Sequence, residues 1–390
     1  MNNTCRICLT GKIKNLLDFG KQPIVHHLKT TKEESPKLYP FELGFCNSCA
    51  FLQIINPIPP EILYKNYFTV SSWKNQPHTN RLLEVMGAIA NLNDTSSVLE
   101  IGCNDGSFME LLLERGVHEP IGIEPTKDAF EIAIKKGLSV KNRFFDANLA
   151  DELGEKQFDI IVTRQVLEHI FNLQEFICSI RSVLKDEGTL VIEIPDSSWN
   201  LEQLDYALWE EHVNYFTIST LNKLLVENGF RIIHKETTLF SGKALTVFAE
   251  KNERYSMPSA VEKEFEIIQK FKKNFLPLKE RFHEFLSSKE QVFLYGCGAR
   301  SSSFLHFMEL ENVISIVDDQ VEKQGFYLPK SNIPIVSWCD EYKDAFFLLG
   351  VNTENEMKVV KRRQFKFEQY CSILPPSKNI PVFWKRMIDA

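Results

Sequence analysis

Between residues 97 and 250 the chain alternates short apolar runs with amphipathic ones, and no other feature narrows its fold as much. The runs over 97–101, 120–124, 158–163 and 189–194 are predominantly apolar, as strands covered on both faces require. Between them, 107–115, 128–136 and 173–183 repeat apolar residues at helical spacing. The pattern predicts an α/β fold with a parallel sheet between two helix layers. A helix over 221–228 and a strand over 244–249 are expected to close this unit. Ahead of it, 78–91 reads as an amphipathic helix; behind it, 258–288, rich in Lys, Glu and Phe, reads as a connecting helix. The alternation then restarts at 291–295, 301–309 and 313–317, with further strands expected at 345–349 and 370–374. A second, smaller Rossmann-like α/β unit is therefore expected at the C-terminus. The 390 residues divide on this reading at 1–75, 76–255 and 256–390.

Chemistry enters at Glu100-Ile101-Gly102-Cys103-Asn104-Asp105-Gly106, between the first strand and its helix. Gly102 and Gly106 permit a tight turn and a close ligand approach. The helix start beyond them offers free N–H groups and a positive dipole end, which suits the carboxylate of an amino-acid-like cofactor. The spacing is not the G-x-G-x-x-G that cradles a pyrophosphate. Glu124, 22 residues beyond Gly102 at the end of the next strand, is placed to accept from ribose hydroxyls. Asp146, in Phe144-Phe145-Asp146-Ala147, is a weaker candidate for an adenine contact.

Cys5-x-x-Cys8 and Cys46-x-x-Cys49 make two knuckle-like pairs, with the 37 residues 9–45 between them. That separation is long for a simple zinc ribbon, so an inserted loop must lie between the pairs. Two such pairs are what a tetrahedral Cys₄ zinc site needs. A closed Cys₄ set leaves no open position, so the expected Zn²⁺ is structural, stabilising a segment too small to build its own core. His26 and His27 read as loop residues, not ligands.

Bulk properties exclude several classes. The net charge is −7 with no basic domain, which argues against nucleic acid as a partner. The run Lys358, Lys361, Arg362, Arg363, Lys366 reads as a solvated helix face. No apolar stretch approaches the roughly 20 residues that span a bilayer. The N-terminus opens with polar residues and a Cys pair, not a leader, so a cytoplasmic protein with reduced thiols is expected.

Taken together, Cys5-x-x-Cys8, Cys46-x-x-Cys49, the 100–106 loop, Gly122-Ile123-Glu124-Pro125, Val166-Leu167-Glu168-His169, Glu211-His212-x-x-Tyr215-Phe216 and the stretch 323–329 follow one another in a familiar order. In that order the chain resembles the S-adenosylmethionine-dependent deoxysugar C-methyltransferases, over nearly its whole length. The resemblance implies a class I (Rossmann-like) methyltransferase domain between a zinc module and a C-terminal domain that helps bind a nucleotide-sugar. It implies a cofactor set of Glu100, Gly102, Asn104, Gly106, Glu124, Asp146 and Gln165. It implies His212 as general base with Glu211 as its partner, His169 as a second active-site histidine, Tyr67 reaching the site, and Tyr215 beside the sugar. The acceptor would be a small molecule, a nucleotide-sugar or sugar phosphate, handled by a monomer or homodimer.

The acceptor half departs from the family pattern. Trp209-Glu210-Glu211-His212 stands for Tyr-His-Glu-His, Phe240-Ser241-Gly242-Lys243 for a His-Gly-Gly-Ser turn, and Thr69 for a second Tyr. An O-methyltransferase, which needs only one base, is therefore the alternative, and a non-catalytic cofactor-binding scaffold the third reading. In the C-terminal unit, Gly296-Cys297-Gly298 and Asp318, 20 residues beyond Gly298, suggest nucleotide handling. The family's phosphate-facing Lys is replaced here by Ser302 or Ser303. Either Arg300 supplies the charge, or the diphosphate is held differently or is absent.

Overall fold

Among the described residues the strands assemble into three sheets, and the apolar runs at 97–101, 158–163 and 189–194 lie inside the central one. The computed structural model describes residues 4–64, 78–252 and 261–390; Tyr67 lies outside the described residues. In the N-terminal part β1 (Ile13–Gln22), β2 (Tyr39–Cys46) and β3 (Leu52–Ile54) form an antiparallel meander. Its fourth strand, β9 (Asn214–Tyr215), comes from far along the chain and pairs antiparallel with β3.

The central sheet contains β4 (Val98–Ile101), β5 (Ile121–Ile123), β6 (Ser139–Lys141), β7 (Phe158–Arg164), β8 (Leu184–Pro195), β10 (Phe230–Leu239) and β11 (Lys243–Lys251). Their order is β10-β11-β8-β7-β4-β5-β6. The pairs from β6 through β8 are parallel, and β11 runs antiparallel to both of its neighbours. All four β4 residues are buried, as expected for a strand between two helix layers. The order reverses between β4 and β7, so the loops after those strands open the crevice where such sheets bind ligands. The helices follow their apolar stripes: Leu173–Val183 buries Leu173, Phe176, Ile177, Ile180 and Val183, and Asn172 caps it by accepting from Glu175 N.

The third sheet is parallel, in the order β14-β13-β12-β15-β16: β12 (Val292–Tyr295), β13 (Val313–Val317), β14 (Ile335–Val336), β15 (Phe346–Leu349) and β16 (Tyr370–Ser372). The helix Val261–Ser287 does more than connect. It buries Ile268, Phe271, Phe275, Leu278, Phe282 and Leu286 in a core shared by all three parts. Phe19 of β1 meets Phe275 at 5.0 Å between ring centroids, and Tyr206 meets Phe271 at 4.2 Å. A backbone bridge between Lys29 and Tyr327 ties the first part to the third. The basic run is also not a plain solvated face. It ends the helix Thr353–Arg363, where Arg362 and Arg363 pair with Asp319, and Lys358 and Arg362 line the central cavity. Among the described residues no helix is long and apolar enough to cross a membrane.

Candidate active site

The four cysteines converge. Cys5, Cys8, Cys46 and Cys49 are all free thiols whose sulfurs lie within 4.8 Å of one another. Cys5 Sγ and Cys49 Sγ are 3.6 Å apart, Cys8 Sγ and Cys46 Sγ 3.7 Å. A regular tetrahedron with Zn–S bonds of about 2.3 Å has edges of about 3.8 Å, so the donor set fits a zinc ion. Backbone N–H groups of Gly11 and Ser48 donate to Cys8 Sγ and Cys46 Sγ, each at 3.3 Å. A Cβ on Gly11 would stand 2.2 Å from Cys46 Sγ, so the approach of that turn to the sulfurs requires glycine.

At the switch point, Gly102 turns with φ +77°, and a Cβ there would lie 2.3 Å from Val166 Cγ2. Glu124, buried at the end of β5, clamps the loop: Oε2 accepts from Asn104 N at 2.9 Å and Oε1 from Thr126 N at 2.8 Å. Burial raises its pKa despite those bonds. Glu100 is buried too, and burial pushes its pKa up to about 8, against the opposing charge of Arg164. Glu100, Gly102, Asn104, Glu124 and Gln165 line one large cavity.

Two expected cofactor residues stand off that cavity. Gly106 begins the helix Ser107–Glu114 at φ 76°, with Leu138 packed where its Cβ would be, so it shapes the turn. Asp146 caps the helix Ala147–Leu153 by accepting from Leu149 N at 2.8 Å; Phe144, two residues earlier, lines the cavity instead.

Across the cavity the two histidines meet, ring centroids 4.8 Å apart and nearly perpendicular. His169 Nδ1 lies 2.9 Å from the Glu211 carbonyl, which can only accept, so Nδ1 carries the hydrogen and Nε2 a lone pair. His212 sits against Trp209 at 3.7 Å between ring centroids. Burial above all, with the positive charge of Arg300 adding to it, holds its pKa well below that of a free imidazole.

The expected pairing of Glu211 with His212 is corrected by the structure. The Glu211 carboxylate turns to His26, whose Nδ1 is 3.1 Å away. The carboxylate beside His212 is Glu168, with Oε1 4.0 Å from Nε2. Burial raises the Glu168 pKa to about 8. His26, read as a loop residue, is thus part of the site: burial opposes its charged form, but Glu211 and Glu210 outweigh it and its pKa is raised. Tyr64, another residue the motifs did not single out, places its hydroxyl 3.4 Å from His169 Nδ1. Tyr215 lines the cavity and its hydroxyl donates to Trp209 O at 3.4 Å.

The C-terminal loop repeats the logic of the first. Asp318, at the end of β13, accepts from Cys297 N at 2.6 Å and Gln320 N at 2.8 Å, as Glu124 does from the loop after β4. Gly296, Arg300 and Asp318 all line the cavity. Arg300, however, is no free phosphate clamp: Nη1 donates to Ser241 O at 2.7 Å and Nη2 to the buried carboxylate of Asp205. Lys323 Nζ is nearby, donating to Cys297 O at 2.7 Å.

The sheet order β6-β5-β4-β7-β8-β11-β10 with β11 antiparallel, formed by residues that a methyltransferase domain model matches, makes this unit a class I S-adenosylmethionine-dependent methyltransferase. Family models agree along the chain: "Putative zinc binding domain" matches 5–64, "Methyltransferase domain" 74–235 and "C-methyltransferase C-terminal domain" 242–371. The chain belongs to the C-methyltransferase family built from these three domains.

Among curated relatives, C-methyltransferase NovU of Streptomyces niveus is 23% identical over 90% of this chain and 90% of its own. A ubiquinone biosynthesis O-methyltransferase of Bartonella bacilliformis is 28% identical over 35% of this chain and 60% of its own. Among solved structures, a SAM-dependent methyltransferase from Archaeoglobus fulgidus is 19% identical, with 44% of this chain and 94% of that one covered at a TM-score of 0.37.

Proposed function

We propose that the protein methylates a carbon beside the carbonyl of a nucleotide-linked keto-deoxysugar, with His212 as general base. The observation that carries this reading is a single cavity of about 2630 Å³ lined by the cofactor loop, both histidines and the C-terminal glycine loop. One small ligand fills roughly 300–1,000 Å³, so this space suits a cofactor together with a large acceptor. Similarity to a protein named as a C-methyltransferase over nearly the whole chain supports a carbon acceptor.

Bound S-adenosylmethionine supplies an electrophilic methyl group. Glu124 and the 102–106 turn hold its binding loop in shape. His212, neutral because its pKa is lowered, takes the proton from the acceptor carbon, and the C–H electron pair moves onto the carbonyl oxygen. Glu168, with Oε1 4.0 Å from Nε2, is the acidic side chain beside the imidazolium that forms. Tyr64 is the phenol assigned to donate to the enolate oxygen. The enolate carbon is the nucleophile to which bound S-adenosylmethionine would supply its methyl group, the C–S electron pair staying with the sulfur of the departing thioether.

A second reading, transfer to oxygen, is favoured by Trp209, whose ring packs tilted against that of His212 where the resemblance places a Tyr. One experiment separates the two. The protein is incubated with ¹³C-methyl-labelled S-adenosylmethionine and a panel of nucleotide-linked keto-deoxysugars, and the labelled product is read by NMR. A C-methyl signal is expected; a methoxy signal overturns the carbon reading, and no turnover on any acceptor overturns both.

A further inference from the structure

The first metal knuckle contains a side chain that methyl transfer does not use. Arg6 lies between Cys5 and Cys8, and its guanidinium reaches out of the zinc module. Nη1 donates to Val213 O at 2.8 Å and Nη2 to Ile54 O at 2.9 Å, while Nη1 also stands 3.4 Å from Asn214 Oδ1. The Arg6 backbone N donates to Gln53 Oε1 at 3.0 Å, and Gln53 pairs with Asn214 across β3 and β9. Val213 directly follows His212.

Asn214 carries the connection onward. Its side chain is buried, and Nδ2 donates to Leu167 O at 3.2 Å and Ile170 O at 2.6 Å. Those carbonyls flank Glu168 and His169. One guanidinium therefore reaches, through one amide, both segments that bear the histidines. Among the described residues Arg6 makes no ion pair with a carboxylate, and the anionic group that bears on its charge is Cys5. Four thiolates around Zn²⁺ carry a net charge of about −2, which gives the guanidinium a partner on the metal side.

We propose that Arg6 is a positioning residue for methyl transfer, locking the His212 and His169 segments to the metal knuckle through its fork and Asn214. This rests on the reading of those histidines as active-site residues. A fork that satisfies two carbonyls at once is a role lysine cannot reproduce, and a small misplacement of a base is costly in rate.

The test uses the full chain with Arg6→Lys, Arg6→Ala and Asn214→Asp. Hydrogen exchange followed by mass spectrometry is read at 166–170, 209–216 and 100–106, beside zinc content and calorimetric affinity for S-adenosylmethionine. Both Arg6 variants are expected to keep their zinc and their cofactor affinity within about twofold, and to exchange faster at 166–170 and 209–216 with 100–106 unchanged. Asn214→Asp, which turns an acceptor toward two carbonyls, is expected to loosen 166–170. With a working acceptor, kcat should fall roughly 10- to 100-fold while KM changes little, with Lys less affected than Ala.

Unchanged exchange at both segments overturns the proposal. So does loss of zinc with protection lost throughout 4–64 in both Arg6 variants, which would make Arg6 a folding residue of the module alone. If Arg6→Ala does not fold, Arg6→Lys and Asn214→Asp still decide. Exchange needs no acceptor, so a failure of the substrate reading shows up separately, as absent turnover in the unaltered protein.

Discussion

If His212 is the base proposed above, it acts from a buried position, and its removal should be felt in rate and not in cofactor binding. His212→Asn is expected to lower kcat by about 100-fold or more, the scale of general acid–base catalysis, with calorimetric affinity for S-adenosylmethionine unchanged within about twofold. Because burial and neighbouring positive charge depress its pKa, the basic form persists as the pH falls below the usual imidazole value of about 6.5. The acid limb of kcat/KM against pH should therefore lie below that value; a limb at or above it would assign the base elsewhere. His169 and His212 are legible in the sequence through their motifs, whereas the partner of His212 is not. Adjacent residues in non-helical backbone point different ways, so Glu211 reaches His26 while Glu168, 44 residues earlier in the chain than His212, stands beside the imidazole. Asp146 carries a local signal of a different role: an Asp three residues before Leu149, at the start of a helix, is a cap.

At the scale of elements, the metal knuckles are held as much by backbone approach as by sulfur. Gly11→Ala puts a methyl group into the space of Cys46 Sγ, so the purified variant is expected to lose most of its bound zinc by elemental analysis and to unfold at lower temperature. The central strands are readable because burial on both faces leaves a continuous apolar run. The edge strand β10 is not: its Arg231, His234, Lys235 and Glu236 break that run, and only its pairing with β11 settles it. The helix Val261–Ser287 is legible as a helix but not as core, although Ile268, Phe271, Phe275, Leu278, Phe282 and Leu286 recur at steps of three and four. Its many lysines and glutamates mask the stripe.

At the scale of the whole molecule, the three parts share side chains across every boundary. Arg300 and Asp205 join the C-terminal unit to the methyltransferase unit with both groups buried. Asp205→Ala leaves a buried guanidinium without its carboxylate and is expected to cost about 3–5 kcal/mol in denaturant unfolding; a loss below about 1 kcal/mol would show that the guanidinium finds another partner. Trp384, near the C-terminus, is fully buried and donates to Gln203 O at 3.1 Å. None of these ties is legible in the sequence, because distance along the chain hides them. The borrowed strand β9 has a consequence for synthesis. As the ribosome delivers the chain, β3 emerges with its outer edge bare and must wait about 160 residues for Asn214 and Tyr215 to arrive. Until then the nascent module offers an open template for pairing, so the first sheet to be started is completed only after most of the second has been made.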